Sequence, residues 1–296
     1  MEKLKDLTIE GVNLYLNINL EKYTTIKLAK NGDIAIVENE KALTELLSFL
    51  YKIKYQYHVV GWGANQVLLT TENILFIKLK FPFSKEAISE DKSEFNLPAS
   101  TPLNQLTSLP IKYGFSGWEY FTGIPASLGG AVVMNAGTSL GEICELVKSV
   151  KIMKKDGTTF LRELSASDFS YRKNHFLNDG DIITEVTLIH HGIDKKISKK
   201  IQEYLDYRNK TQPLTTKNCG SVFKNINKNI RAGRTIDIIG LKGFGTQSIA
   251  VSMKHGNFIE NQNKASVEEF EQIIQLLSKE IERFRGLEFE LEVKLY

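Results

Sequence analysis

Gly117-Trp118-Glu119-Tyr120-Phe121-Thr122-Gly123-Ile124-Pro125-Ala126-Ser127-Leu128-Gly129-Gly130-Ala131-Val132-Val133-Met134-Asn135-Ala136-Gly137 puts many glycines and other small residues together. Its weakly polar part, Gly123 to Gly137, falls short of the roughly 18 continuous apolar residues of a membrane span. Glycine marks it as a loop or a helix start. It is not Gly-x-Gly-x-x-Gly after a strand, and no Gly-Lys-Ser/Thr follows, so neither a Rossmann fingerprint nor a P-loop is present. Two readings stand side by side. The small residues allow close backbone approach to a large flat or phosphorylated ligand, or they pack a helix tightly against its neighbours.

A second glycine cluster lies upstream. His58-Val59-Val60 reads as a strand entering Gly61-Trp62-Gly63-Ala64-Asn65. Successive N–H groups in such a turn can form an anion-binding nest, and a plain tight turn is the competing reading. Downstream, Asn218-Cys219-Gly220-Ser221-Val222-Phe223-Lys224-Asn225 places a serine after a glycine without the Gly-x-Ser-x-Gly elbow. That serine is a nucleophile, a proton donor or a turn residue.

Around these segments the periodicities are clear. Leu43, Leu46, Leu47 and Leu50 form one helical stripe. Residues 74–80 and 182–189 read as strands, and 95–109 is ambiguous between strand and helix. Residues 198–208 read as a helix. Ser266-Val267-Glu268-Glu269 has capping-box spacing, and Phe270, Ile273, Ile274, Leu277, Ile281 and Phe284 continue a helix to Arg285, with Gly286 as its stop. Phe289, Leu291, Val293 and Leu295 then alternate with Glu290, Glu292 and Lys294, predicting a strand with one charged face. The polar break from His190 to Lys196 puts a division near residue 195.

The 296 residues are 42% hydrophobic and 25% charged, which excludes disordered, collagenous and fibrous classes. Lys and Arg number 38 against 35 Asp and Glu, a net +3 with no clustered basic stripe, so no nucleic-acid partner is expected. Cys144 and Cys219 lie in no metal-ligand spacing, so no metal site and no disulfide framework is expected. Met1-Glu2-Lys3-Leu4-Lys5-Asp6 lacks the apolar core of a signal peptide. No membrane span is expected, and a reducing, cytoplasmic location is.

Taken together the segments resemble one family, the UDP-N-acetylenolpyruvoylglucosamine reductases of bacterial peptidoglycan synthesis. The resemblance runs over residues 20–295. It rests on Gly117 to Gly137, Tyr171-Arg172 with Phe176, Gln212-Pro213, Gly220 to Asn225, Ile239-Gly240-Leu241-Lys242-Gly243, His255-Gly256-Asn257-Phe258 with Asn261, and Glu290 to Val293. Each match is weak alone; their order and spacing are specific.

The resemblance implies an α+β protein. A bipartite FAD-binding region of the vanillyl-alcohol-oxidase (PCMH) type (1–195, split into 1–80 and 81–195) would precede a smaller α+β substrate-binding domain (196–296). It implies FAD as cofactor, NADPH as co-substrate, and reduction of an enolpyruvyl ether to a lactyl ether on a UDP-sugar. Such an enzyme acts on a small molecule and serves wall-precursor synthesis, and through it cell shape and division; a monomer is the favoured state. Gly61, Gly63, Ala64 and Asn65 match the family's first FAD loop, and Gly123, Ile124, Gly129, Gly130, Asn135 and Ala136 the second. Ala64, Ala126, Asn174 and Ile226 depart from the family's usual serine, glycine, serine and proline. The segment between Arg172 and Ser221 is short and lacks the tyrosine-bearing insertion of the longer variant.

The chemistry assigns three roles under this resemblance. Ser221 is the proton donor to the carboxylate-bearing carbon. Arg172 pairs its permanently charged fork with the substrate carboxylate. Glu292, which the family pattern favours over Glu290, holds the arginine or polarises the substrate carboxylate while protonated, as a raised pKa allows. Arg208, Lys224 and Asn225 are expected contacts of the UDP-sugar. A flavin oxidase of the same fold and a non-catalytic nucleotide-binding homologue are the competing readings.

Overall fold

Asn39 starts the first long helix. Its side chain accepts from the Ala42 N–H at 2.9 Å, and Leu43, Leu46, Leu47 and Leu50 are fully buried along the helix Glu40–Lys52. In this computed structural model, residues 4, 5 and 7–296 are described. Most of the charged opening read above as no signal peptide, at Met1, Glu2, Lys3 and Asp6, lies outside them. The helix connects parallel strands, as such a crossover must. The sheet runs Val12–Asn19, Asn31–Val37, Ile74–Leu79, Gln56–Val59 in spatial order. Ile34 stands opposite Phe76, and His58 opposite the same residue on the other side.

A second, antiparallel sheet runs Thr159–Glu163, Val147–Met153, Ile182–Ile189, Glu94–Pro98. Ile182–Ile189 pairs on both edges and is buried on all but Glu185 and Ile189, Thr184 and Thr187 included. The ambiguous 95–109 resolves into both kinds of element. Glu94–Pro98 is a strand, and Leu103–Leu106 and Ser108–Tyr113 are short helices beyond Pro102. The small-residue run yields the short helix Leu128–Val133, capped by the Ser127 side chain. Phe95, Phe115, Trp118 and Phe121 form an aromatic core with ring centroids 5.2–5.9 Å apart along the chain of contacts.

The chain divides into two compact units. One comprises the chain up to Leu16, Asp33–Trp62 and Asn73–Leu205. The other comprises Asn17–Gly32, Gly63–Glu72 and Asp206–Tyr296. Packing groups the chain differently from its linear order. The crossing falls inside the helix Ile197–Thr211, and two N-terminal segments belong with the C-terminal unit. The reason is visible in the second core, where Ile26, Leu28 and Val67 pack with Phe223, Phe270, Leu277 and Val293.

Within this second unit the helix Val267–Arg285 has the capping box in place and ends at Gly286 in the left-handed conformation. The strand expected over residues 289–295 is mostly not regular. Only Lys294–Leu295 forms a ladder, parallel to Gln66–Val67, and Leu291 makes an isolated bridge to Phe223. The alternation survives as burial, with Phe289 and Val293 inside. Pairing fails to extend because the segment's bonds are shared among three partners: the Lys224 N–H on Glu290, Val222 around Glu292, and Asn65 around Val293.

Candidate active site

In the C-terminal unit, Ser221 and Glu292 come together on paired backbone. Gly220 takes φ +75°, its N–H held by the Asn218 side chain at 2.9 Å. Beyond Ser221, Val222 N–H donates to the Asn257 carbonyl at 2.9 Å, and the Asn257 side chain closes a two-way bridge with the Phe223 main chain at 3.0 and 2.8 Å. The Glu292 N–H donates to the Val222 carbonyl at 2.8 Å. The two candidate groups therefore sit on adjacent hydrogen-bonded segments, each half-buried. Glu290 differs: its carboxylate is mostly exposed and binds the Lys224 ammonium at 2.8 Å.

The remaining expected contacts of this unit are dispersed in role. Asn225 is exposed and its side chain accepts from the Ala232 N–H at 3.0 Å. Arg208 donates through Nε to Gln212 at 2.9 Å. Gly63 has φ +71°, and any side chain there would collide with the Tyr23 carbonyl. The Ala64 carbonyl lies 3.7 Å from where a Gly220 Cβ would be. Asn65 is bonded to the last segment, its side-chain N–H on the Glu292 carbonyl at 2.9 Å.

In the other unit, Arg172 stands at φ +56°, an unusual conformation for a bulky residue. Its guanidinium donates to the carbonyls of Asn135 and Gly137 at 3.2 and 2.9 Å and lies 3.8 Å from Glu142. Asn135 is buried, also at positive φ, and its amide binds Glu142 at 2.9 Å. Arg172, Asn135, Ala136 and Gly137 thus form one knot. Asn174, in place of the family's usual serine, ties this region down by donating to the Val133 carbonyl at 2.8 Å.

The two glycine loops differ in what they offer a ligand. Among the described residues, no main-chain N–H from Gly61 to Asn65 donates to a protein acceptor. A run of uncommitted donors in a glycine turn is the chemistry that receives a phosphate. The second loop is largely spoken for: Gly129 N–H binds the Ala99 carbonyl at 2.8 Å, Gly130 N–H binds the Ser127 hydroxyl at 3.3 Å, and Ile124 N–H binds Phe121. A Cβ on Gly129 would lie 2.7 Å from the Ala99 Cβ, so tight packing is the reason for that glycine. The Gly123 N–H has no protein acceptor among the described residues.

Four residues in these surroundings escape the sequence reading. Lys78 donates to the Gly61 carbonyl at 2.6 Å, and burial lowers its pKa. Ser127 caps the Leu128–Val133 helix and stands 2.6 Å from where a Gly61 Cβ would be. Glu142 holds Asn135, and Asn257 braces the Ser221 segment. Only Ser127 carried a local signal, as a serine preceding a helix start. Burial pushes the Cys219 thiol up to about 12 and raises that of Cys144, so neither is an activated thiol. Among the described residues, no group of His, Cys, Asp and Glu could hold a metal ion, and no helix is long and apolar enough to cross a membrane.

Comparison with known proteins agrees with the donor chemistry. Residues 34–161 match an FAD-binding domain family. Fold and loops together define a flavoprotein oxidoreductase of α+β architecture. Residues 212–296 match the C-terminal domain of UDP-N-acetylenolpyruvoylglucosamine reductase. The reductase of that name from Moorella thermoacetica is 31% identical over 289 residues, 97% of this chain and 95% of that protein. The one from Halalkalibacterium halodurans is 29% identical over 299 residues, covering 100% and 97%. The crystal structure of the Thermus caldophilus enzyme superposes with TM-score 0.77 at 30% identity, covering 96% of this chain and 98% of that one. The chain belongs to the UDP-N-acetylenolpyruvoylglucosamine reductase family.

Proposed function

We propose that this chain reduces the enolpyruvyl ether of UDP-N-acetylglucosamine to the lactyl ether, UDP-N-acetylmuramate, with FAD as its cofactor and NADPH as the reductant. Family membership supports the reaction. The observation that supports the assignment of residues is the 2.8 Å bond from the Glu292 N–H to the Val222 carbonyl, which joins the segment of Glu292 to the residue after Ser221.

FAD, held at its diphosphate by the Gly61–Asn65 loop, would supply the two-electron hydride-transfer chemistry that links NADPH to the enolpyruvyl double bond. The chain's residues do the rest. Ser221 holds the proton that the carboxylate-bearing carbon needs, and donates it from the hydroxyl. Arg172 pairs with the substrate carboxylate, where negative charge grows; stabilising developing charge is often the largest single catalytic contribution. Glu292 orients the polar groups around that carboxylate. The Gly61–Asn65 donors receive the diphosphate of FAD, supported by their lack of protein acceptors. Lys224, Asn225 and Arg208 contact the UDP moiety.

The domain assignment belongs to the same reading: a flavin-binding region over 1–195, split near residue 80, and a substrate-binding region over 196–296. The split is supported by the two sheets, which span residues 12–79 and 94–189. A cytoplasmic monomer acting in the precursor stage of the wall, and so in cell shape and division, completes it.

Purified protein should be yellow and carry FAD. Ser221→Ala should leave flavin reduction by NADPH intact and slow re-oxidation by the enolpyruvyl substrate by roughly 100- to 10,000-fold, the usual worth of a general acid. Stopped-flow absorbance resolves the two half-reactions. Equal loss in both would remove Ser221 from the proton-transfer role, and a protein that takes up no flavin would remove the function itself.

A further inference from the structure

Asn65 sits in the first glycine loop, where the resemblance counts it as a flavin contact. Its bonds point elsewhere. The side-chain Nδ2–H donates to the Glu292 carbonyl at 2.9 Å, and the Asn65 carbonyl accepts from the Lys294 N–H at 2.9 Å. Asn65 therefore grips the final segment on both sides of Val293. The preceding peptide is held as well, because the Glu292 N–H donates to the Val222 carbonyl at 2.8 Å. Val222 is itself pinned through its own N–H by the Asn257 carbonyl at 2.9 Å. One continuous series of hydrogen bonds thus runs from Asn65 through the Glu292 backbone to the residue after Ser221.

We infer that Asn65 is a positioning residue: its carboxamide sets the register of Glu292 against Ser221 and so ties the first flavin loop to the proton-transferring groups. The inference rests on the roles proposed above for Ser221 and Glu292. Residues 290–293 make no extended ladder, and the Glu292 backbone is held by the Val222 carbonyl at its N–H and by the Asn65 carboxamide at its carbonyl. A carboxamide can donate to a carbonyl oxygen; a carboxylate of the same shape cannot, and would set oxygen against oxygen. The loop's main-chain N–H groups, which the flavin reading uses, are untouched by a change in this side chain.

Asn65→Asp is the test. Once saturated with FAD, so that any weakening of diphosphate binding by the added carboxylate is made up, it should be re-oxidised by the enolpyruvyl substrate about 100-fold more slowly than the parent, the loss typical of a small misplacement of reacting groups, with a much smaller change in its reduction by NADPH. Asn65→Ala removes the same donor without adding charge and should show the same split, so a failure of one variant to fold leaves the other to decide. Combined with Ser221→Ala, Asn65→Asp should cost nothing further, because residues acting through one another are not additive. A readout independent of turnover is amide hydrogen exchange, which should quicken across residues 290–296 in the variant. Loss of flavin binding with a normal oxidative half-reaction after reloading would return Asn65 to the role of a simple cofactor contact. Full additivity with Ser221→Ala, or unchanged exchange at residues 290–296, would equally overturn the inference. Unaltered half-reactions in Ser221→Ala would instead strike the underlying reading, and a parent protein without flavin would strike it sooner.

Discussion

His255 shows how much a single side chain can take from its surroundings. It packs edge-on against Phe258 with ring centroids 4.9 Å apart, and its Nδ1 accepts from the Asn257 N–H at 3.2 Å. Burial lowers its pKa from the ordinary 6.5, the nearby Lys242 lowers it further, and Asp237 opposes them weakly. The sign of the consequence follows. As pH falls below about 6.5 the unfolded chain takes up a proton that the folded chain refuses, so stability declines toward acid and recovers as pH rises. His58 contributes in the same sense, its pKa lowered by burial against a weaker opposing pull from Asp179. We expect the urea midpoint to fall between about pH 7.5 and pH 5.5, and to fall less in His255→Gln. An equal fall in the variant would mean that His255 carries no part of the linkage. Other residues at this scale are legible for simpler reasons. Gly63 has a positive φ, a turn conformation that the glycine itself announces, although the carbonyl standing where its Cβ would be belongs to Tyr23 in a distant segment. Arg172 at positive φ has no such local mark; the carbonyls of Asn135 and Gly137 that hold it lie 37 and 35 residues away.

Among the elements, the helix Val267–Arg285 is the most legible in the sequence, for physical reasons. Its cap, apolar stripe and glycine stop are all local signals that agree. The Ser266 hydroxyl accepts from the Glu269 N–H at 3.2 Å, and the Glu269 carboxylate returns a bond to the Ser266 N–H at 2.9 Å. Ser266→Ala should lower stability by about 1 kcal/mol, the usual worth of such a cap, and Ser266→Asp should recover most of it. Chemical denaturation of the three proteins checks this. Just past Gly286 the reading weakens. Alternation of Phe289 and Val293 with the glutamates correctly marks which residues are buried, but not that ladder pairing is confined to Lys294–Leu295. Burial follows from side-chain chemistry in the segment itself. Pairing depends on which donors and acceptors other segments present, and those come from Asn65, Val222 and Lys224. The small-residue run behaves likewise: a short helix and two loops share it, so ligand approach and tight packing both apply, at different glycines.

For the whole molecule, cofactor and fold are linked by mass action. A ligand that binds only the folded chain adds about 2.7 kcal/mol at a hundredfold excess over its Kd. The thermal midpoint should therefore rise with added FAD. Riboflavin, which lacks the diphosphate for the Gly61–Asn65 donors, should raise it much less at equal concentration. Differential scanning fluorimetry measures both, and equal shifts would argue against a phosphate role for that loop. The α+β class, the principal helices and the family were all within reach of the amino-acid order, because caps, stripes and motif spacings are properties of neighbours along the chain. The division into units was not. Ile26 and Lys27 offer carbonyls to the Asn261 side chain across 235 and 234 residues, and Asn65 reaches Glu292 across 227. No periodicity records such pairings. The residue types needed for flavin and proton chemistry are thus written in order along the chain. Which backbone holds Glu292 beside Ser221, and why Asn65 belongs with them, is decided by hydrogen bonds that exist only once distant segments have folded onto one core.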